Sequence, residues 1–270
     1  MKLWILSDLH REFPRYRQDV PRPYPDHDVV VLAGDIDNTP SRAIEWAAET
    51  FDKPIIYVAG NHEFYGTILK DEIIAGMETA ARLGVHYLEN RAVEIDGVRF
   101  FGCTLWSDFA LHGEMTVPIA MAAAKRGLND FSQIMFERDD VGRSPPELRR
   151  SPRMPLRFQP AHARGLHQES RVWLEESLPP AADASGKIVV VTHNAPHKGS
   201  VQPQFEGDAL SPCFVNHLPE VFQRHHIDLW VHGHCHGTQD YKVGETRVVE
   251  NSYGYGMEDP AFRWDLVIEV

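Results

Sequence analysis

Six short apolar runs constrain this chain most: "KLWIL" (2–6), "VVVLA" (29–33), "PIIYVA" (54–59), "VRFFG" (98–102), "KIVVVT" (187–192) and "IDLWVH" (227–232). Continuous β-branched and aromatic runs of this length suit strands covered on both faces. The stretch "SRAIEWAAETF" (41–51) has apolar residues at helical spacing, with Ser41 as its expected N-cap. A second helix is expected over "LKDEIIAGMETAARLG" (69–84), stopped by Gly84. Strand–helix–strand alternation implies an α/β chain with parallel strand pairs and helices on the sheet faces. The tail, "TRVVEN" followed by "DLVIEV", reads as two more strands, expected to form a hairpin that closes a sheet.

Residues 107 to about 168 break this rhythm. A helix is expected after Pro118, followed by a Pro- and Arg-rich stretch at 138–165, and then a helix over 167–178 that His167 starts. Long irregular segments in compact domains usually serve as lids or binding loops. The expectation is one domain over 1–270, with 107–168 inserted over one end of a sheet. The arginine cluster Arg143–Arg157 reads as a solvated loop rather than a phosphate-recruiting patch.

Of the 270 residues, 43% are hydrophobic and 24% charged, which is ordinary for a soluble globular chain. A net charge of −12 argues against a nucleic-acid partner, because phosphate backbones are repelled at long range. No run reaches the roughly 18 apolar residues of a membrane span. The cysteines Cys103, Cys213 and Cys235 are scattered and odd in number, so no disulfide framework is implied, and a reduced cytoplasmic setting is expected.

Most of the apolar runs end in residues able to bind a ligand. "SDLH" gives Asp8 and His10, "GDIDN" gives Asp35, Asp37 and Asn38, and "GNHE" gives Asn61, His62 and Glu63. "THN" gives His193 and Asn194, and "HGHCH" gives His232, His234 and His236. Ligands of open α/β sheets bind outside the carboxyl ends of strands, so the topology gathers these motifs at one rim. Mixed Asp, His and Asn donors suit divalent ions such as Mn, Fe or Zn, whereas structural zinc sites favour several thiolates. Cys235 should point away from the two histidines that flank it, and Gly233 and Gly237 are expected to let that loop bend. His232, inside the strand, fits packing and a supporting role equally well. His27, His86, His112, His162, His217, His225 and His226 carry no assignment. Tyr65, Trp106, Phe109 and Tyr253 read as packing residues rather than a pocket lining.

The series "DLH…GDIDN…GNHE…TH…GHCH" resembles the calcineurin-like metallophosphoesterase superfamily, with further similarity to its bacterial cytoplasmic phosphoesterases in the "TLW" before the irregular segment. The resemblance implies a two-layered mixed β-sandwich flanked by helices, with two divalent metal ions at its rim. It places Asp8, His10, Asp35 and His236 on one ion and Asp35, Asn61, His193 and His234 on the other, Asp35 bridging. It further implies hydrolysis of a phosphate mono- or diester, in a small-molecule substrate, by a hydroxide shared between the ions. His62 would act as acid or phosphate stabiliser. Two departures from the family pattern stand out. The acidic residue expected three places after Asp35 is Asn38, leaving Asp37 and Asn38 as supporting candidates. A second histidine often found after His193 is Asn194, which becomes a candidate substrate contact. The competing readings are a nuclease with the same centre, disfavoured by acidity, and a non-catalytic scaffold, disfavoured because every ligand position is filled.

Overall fold

In a computed structural model of the chain, residues 1–136, 155–183 and 185–270 are described. Arg143 and most of the Pro/Arg-rich stretch at 138–165 lie outside those residues. The first sheet runs β1 (Lys2–Leu6), β2 (Val29–Ala33), β3 (Ile55–Val58) and β4 (His86–Tyr87) side by side in parallel. The second sheet carries β6 (Val98–Cys103), β9 (Lys187–Thr192), β10 (Leu229–His232) and β12 (Thr246–Asn251) as a parallel centre. Antiparallel edges are added by β5 (Arg91–Ile95) on β6 and β11 (Thr238–Val243) on β12. A small ribbon pairs β7 (Met135–Phe136) with β8 (Leu156–Arg157).

Side-chain alternation explains why the apolar runs are continuous. In β1, Leu3 and Ile5 face the second sheet and pack with Val189, Val191, Val231 and Val249. Trp4 and Leu6 face outward, sharing a core with Ala43, Ile44 and Ala47 of α1 (Pro40–Thr50) and Ala80 of α2 (Leu69–Leu83). On the far side, Ile188, Val190 and Trp230 pack with Leu174 of α5 (Pro160–Ser177) and Val221 of α7 (Pro219–Arg224), which the single turn of α6 (Ser211–Phe214) precedes. The result is the expected two-layered sandwich flanked by helices. The central strands are covered on both faces, so neither register could carry polar alternation.

Several local expectations are corrected. The N-cap of α1 is Thr39, whose hydroxyl accepts from Arg42 N, because Pro40 takes the first helical position that proline favours. Gly84 does end α2 in the left-handed conformation (φ 73°). The tail does not form one hairpin. Its first strand, β12, turns back on β11, whereas β13 (Val267–Glu269) crosses to pair antiparallel with β1. Asn251 ties this crossing together, its amide donating to Ile5 O and Arg263 O at 2.8 Å each. His167 does not start a helix. It is buried within α5, with Nδ1 donating to Leu105 O. The described part of 107–168 forms α3 (Val117–Gly127) and α4 (Asp130–Gln133) as well as the ribbon and the start of α5.

Ile5 is fully buried between the sheets. Ile5→Ala is expected to lower unfolding free energy by about 2–5 kcal/mol in urea denaturation. A change below about 0.5 kcal/mol would contradict this packing.

Candidate metal centre

The parallel strands of both sheets deliver their carboxyl ends to one rim. Loops after β1, β2 and β3 bring Asp8, His10, Asp35 and Asn61; those after β9 and β10 bring His193, His234 and His236. Asp8, His10, Asp35 and His236 each offer a donor atom within 4.8 Å of the others, and so do Asp35, His193 and His234. Asp35 belongs to both groups. The oxygen of Asn61 joins the second group, 3.1 Å from His193 Nε2.

The loops must turn sharply to converge, and the donors themselves make the turns. Asp8 (φ 54°), His10 (φ 44°), Asp35 (φ 53°), His234 (φ 72°) and His236 (φ 50°) all adopt the left-handed backbone. Such conformations are uncommon outside glycine, though Asp and His tolerate them better than bulkier residues, and they cluster at functional sites. In the "HGHCH" loop the bend therefore falls on the histidines, not on Gly233 and Gly237 as expected. Gly233 serves close approach instead: a Cβ there would lie 2.5 Å from Asp8 Oδ2 and 2.9 Å from Ala33 O. Gly60 does the same beside Asp35, where a Cβ would sit 2.6 Å from the Asp35 backbone nitrogen.

Surrounding groups aim each donor. His193 Nδ1 donates to Ala33 O at 2.9 Å, leaving Nε2 3.5 Å from Asp35 Oδ1. His10 Nδ1 pairs with Glu12 Oε1 at 3.0 Å and His236 Nδ1 with Glu258 Oε2 at 2.5 Å. Asp8 accepts from the His234 backbone N–H and, at 2.7 Å, from the Ser252 hydroxyl. The Asn61 amide donates to Asp130 Oδ1 at 2.9 Å and to Tyr65 Oη at 3.1 Å, which turns its carbonyl oxygen toward the cluster. Glu63 laces two loops together by accepting from the backbone of Asp35, Ile36 and Gly60 and from Tyr57 Oη.

These residues fit a cation. With their Nδ1 atoms committed to carboxylates, His10 Nε2 and His236 Nε2 still approach to 3.0 Å. Two imidazole lone pairs repel at that distance unless a positive charge lies between them. Electrostatics give the same answer. Burial would raise the Asp35 carboxyl, but the facing His193 and His62 hold it well below the carboxylate range. Burial alone would lower His193, yet Asp35 and Asp8 outweigh it and push this imidazole up to about 10. His62 rises to about 9, because Asp35 and Glu12 overcome its own burial. Asp35 thus stays ionised while the imidazoles of His193 and His62 hold protons.

His62 stands beside these donors. Its backbone N–H donates to Asp35 Oδ1 at 2.9 Å, Nδ1 pairs with Glu12 Oε1 at 2.8 Å, and Nε2 meets Tyr255 Oη at 3.0 Å. A cavity of about 680 Å³ opens against His62, Asp35, His234 and His236. Asn194 does not line it. The Asn194 amide is buried and donates to Cys213 O. Asp37 contacts Arg42 at 3.3 Å, and Asn38 donates to Tyr65 O; neither reaches the cluster of donors. His232 is buried with both nitrogens taken, by Ser200 Oγ and Gly233 O. Sequence reasoning misses Glu12, Asp130, Tyr255 and Glu258. Glu12 continues the alternate spacing of Asp8 and His10 and is legible there; the other three lie outside any sequence pattern.

The strand-end cluster defines a class: an α/β sandwich with carboxylates and imidazoles gathered to bind divalent cations. The model of the calcineurin-like phosphoesterases matches residues 1–237, and the chain belongs to that family. A phosphopantetheinyl hydrolase from Mycobacterium tuberculosis has a similar structure, with TM-score 0.66 over 97% of this chain and 94% of that one, at 18% identity. An uncharacterised protein of Acanthamoeba polyphaga mimivirus is 22% identical over 255 residues, spanning 85% of this chain and 79% of that protein. Among the described residues no helix is long and apolar enough to cross a membrane.

Because His193 carries a proton up to about pH 10, Nε2 must lose it before donating to a cation. Binding of Mn to chelator-treated protein at pH 7 is therefore expected to release protons, and affinity to rise with pH. Calorimetry in buffers of different ionisation enthalpy measures this directly; uptake without proton release would contradict it.

Proposed function

We propose that this protein hydrolyses a phosphate mono- or diester of a small molecule, using two divalent cations. Asp8, His10, Asp35 and His236 would hold one cation; Asp35, Asn61, His193 and His234 would hold the other. Cations bound there supply charge that neutralises phosphoryl oxygens and acidifies a water nucleophile. The observation that carries this reading is the shared position of Asp35 in both donor groups, beside His62 and facing the cavity.

The remaining steps belong to the chain's own side chains. His62 is oriented by Glu12 at Nδ1, so Nε2 is the atom that faces the reacting phosphate and gives its proton to the leaving oxygen. Tyr255 Oη, 3.0 Å from Nε2, keeps the imidazole from rotating. Asp130 and Tyr65 fix Asn61, and Glu63 fixes the backbone on which Asp35 is mounted. Gly127, Leu128, Asn129 and Asp130, at the junction of α3 and α4, form one wall of the substrate pocket.

Nitrophenyl phosphate and bis-nitrophenyl phosphate, offered with Mn, Fe or Zn, test the reading. Turnover is expected for at least one ester, falling about 10²–10⁴-fold in His62→Ala with its metal content retained. Asp35→Asn is expected to lose both activity and bound metal. Equal rates in wild type and His62→Ala would overturn the assigned role of His62, and no turnover with any metal would overturn the enzyme.

A further inference from the structure

We infer that the alcohol portion of the substrate carries no negative charge and presents an apolar surface; this rests on the reading above, with the phosphate seated at the cation donors. The cavity beside those donors is far larger than a phosphate, at about 680 Å³. Four carboxylates line it beyond Asp35: Asp130, Asp208, Glu258 and Asp259. No lysine or arginine lines it among the described residues. The other polar groups on its wall include the neutral amides of Asn129, Gln202 and Gln204.

Cations at the donor groups would offset the charge of one phosphate. Among the described residues lining the cavity, no lysine or arginine is left to offset a second anionic group further along it. Asp130 and Glu258 are bonded to the donors Asn61 and His236, whereas Asp208 accepts from the Leu210 backbone and Asp259 from the backbone of Thr238 and Ala261, partners that leave their charge in place. An anionic alcohol would be placed against like charge, an arrangement that costs affinity and selects against wrong partners. Nucleoside polyphosphates and phosphorylated sugars with further phosphates are disfavoured by the same argument.

The second observation concerns the apolar side of the wall. Leu128, Phe205, Leu210 and Phe214 line the cavity, and the Phe214 ring stacks on His234 at 4.6 Å between centroids. This surface begins at a candidate metal donor and runs outward to Phe205, which is half exposed (49%). A large aromatic left open beside a charged centre favours an apolar or quaternary-ammonium group over a hydrated, anionic one. The alcohol is thus neutral or cationic, with carbon surface to bury.

Three esters of similar shape separate the possibilities: choline phosphate, its uncharged isostere 3,3-dimethylbutyl phosphate, and 4-phosphooxybutanoate, each also as a methyl diester. For Mn-loaded protein, kcat/KM for the cationic and neutral esters is expected to exceed that of the anionic one by about tenfold or more. Asp208 lines the cavity away from the donors, and Asp208→Asn is expected to narrow the gap between cationic and anionic esters, read as the ratio of their kcat/KM values. Turnover of nitrophenyl esters together with an anionic ester as fast as the others would overturn this inference alone. So would a gap that Asp208→Asn leaves unaltered. No turnover of any ester would instead overturn the proposed hydrolase itself.

Discussion

The Asp35 carboxylate is buried where five imidazoles converge. Its two oxygens lie 3.5 Å from His193 Nε2, 3.8 Å from His10 Nε2 and 4.0 Å from His62 Nε2, while Oδ1 also accepts the His62 backbone N–H. His234 and His236, each in a donor group with Asp35, complete the five. A carboxylate removed from water is costly unless opposite charge surrounds it, and removing one partner leaves the other uncompensated. Asp35 is ionised because the loops after β1, β3 and β9 bring their histidines to it. Those histidines, in turn, are worth burying only because Asp35 is there.

Holding such a cluster together is a task for the whole sandwich. The inner faces of β1, β2, β9 and β10 form one apolar layer, which fixes the strand ends relative to each other. Above it, left-handed backbone at five donor residues stores strain of about 1–3 kcal/mol per residue, sustained by the packing beneath. Glu63 and Ser252 link loops from different strands to Asp35 and Asp8.

Much of this is legible in the sequence, for a physical reason. Strands buried on both faces announce themselves as unbroken apolar runs, as β1, β2, β3, β6, β9 and β10 do. The strands that escape are edge or short ones. β5 is largely exposed, "TQDYKV" of β11 mixes polar and apolar residues, and β4 is two residues long. The pairing of the tail is hidden because it depends on tertiary closure: both segments are strands, but Asn251 and the turns after it carry the chain from one sheet to the other. The positions gathered at the rim are given by motif order along parallel strands. Asp130, Tyr255 and Glu258 are not, since packing alone decides the course of the segments that carry them.

The cavity extends the same logic outward. In the proposed arrangement, cations held by the donors would concentrate positive charge at one end, and the carboxylates and aromatics beyond would suit the other end to something uncharged or cationic. Above all, the proposed centre requires Asp35 to serve two cations at once. Anomalous diffraction from crystals of Mn-loaded protein measures this directly. Two peaks about 3.5–4 Å apart are expected to flank the Asp35 carboxylate, one beside His10 and His236 and the other beside His193 and His234. A single peak, or peaks remote from Asp35, would contradict a shared carboxylate.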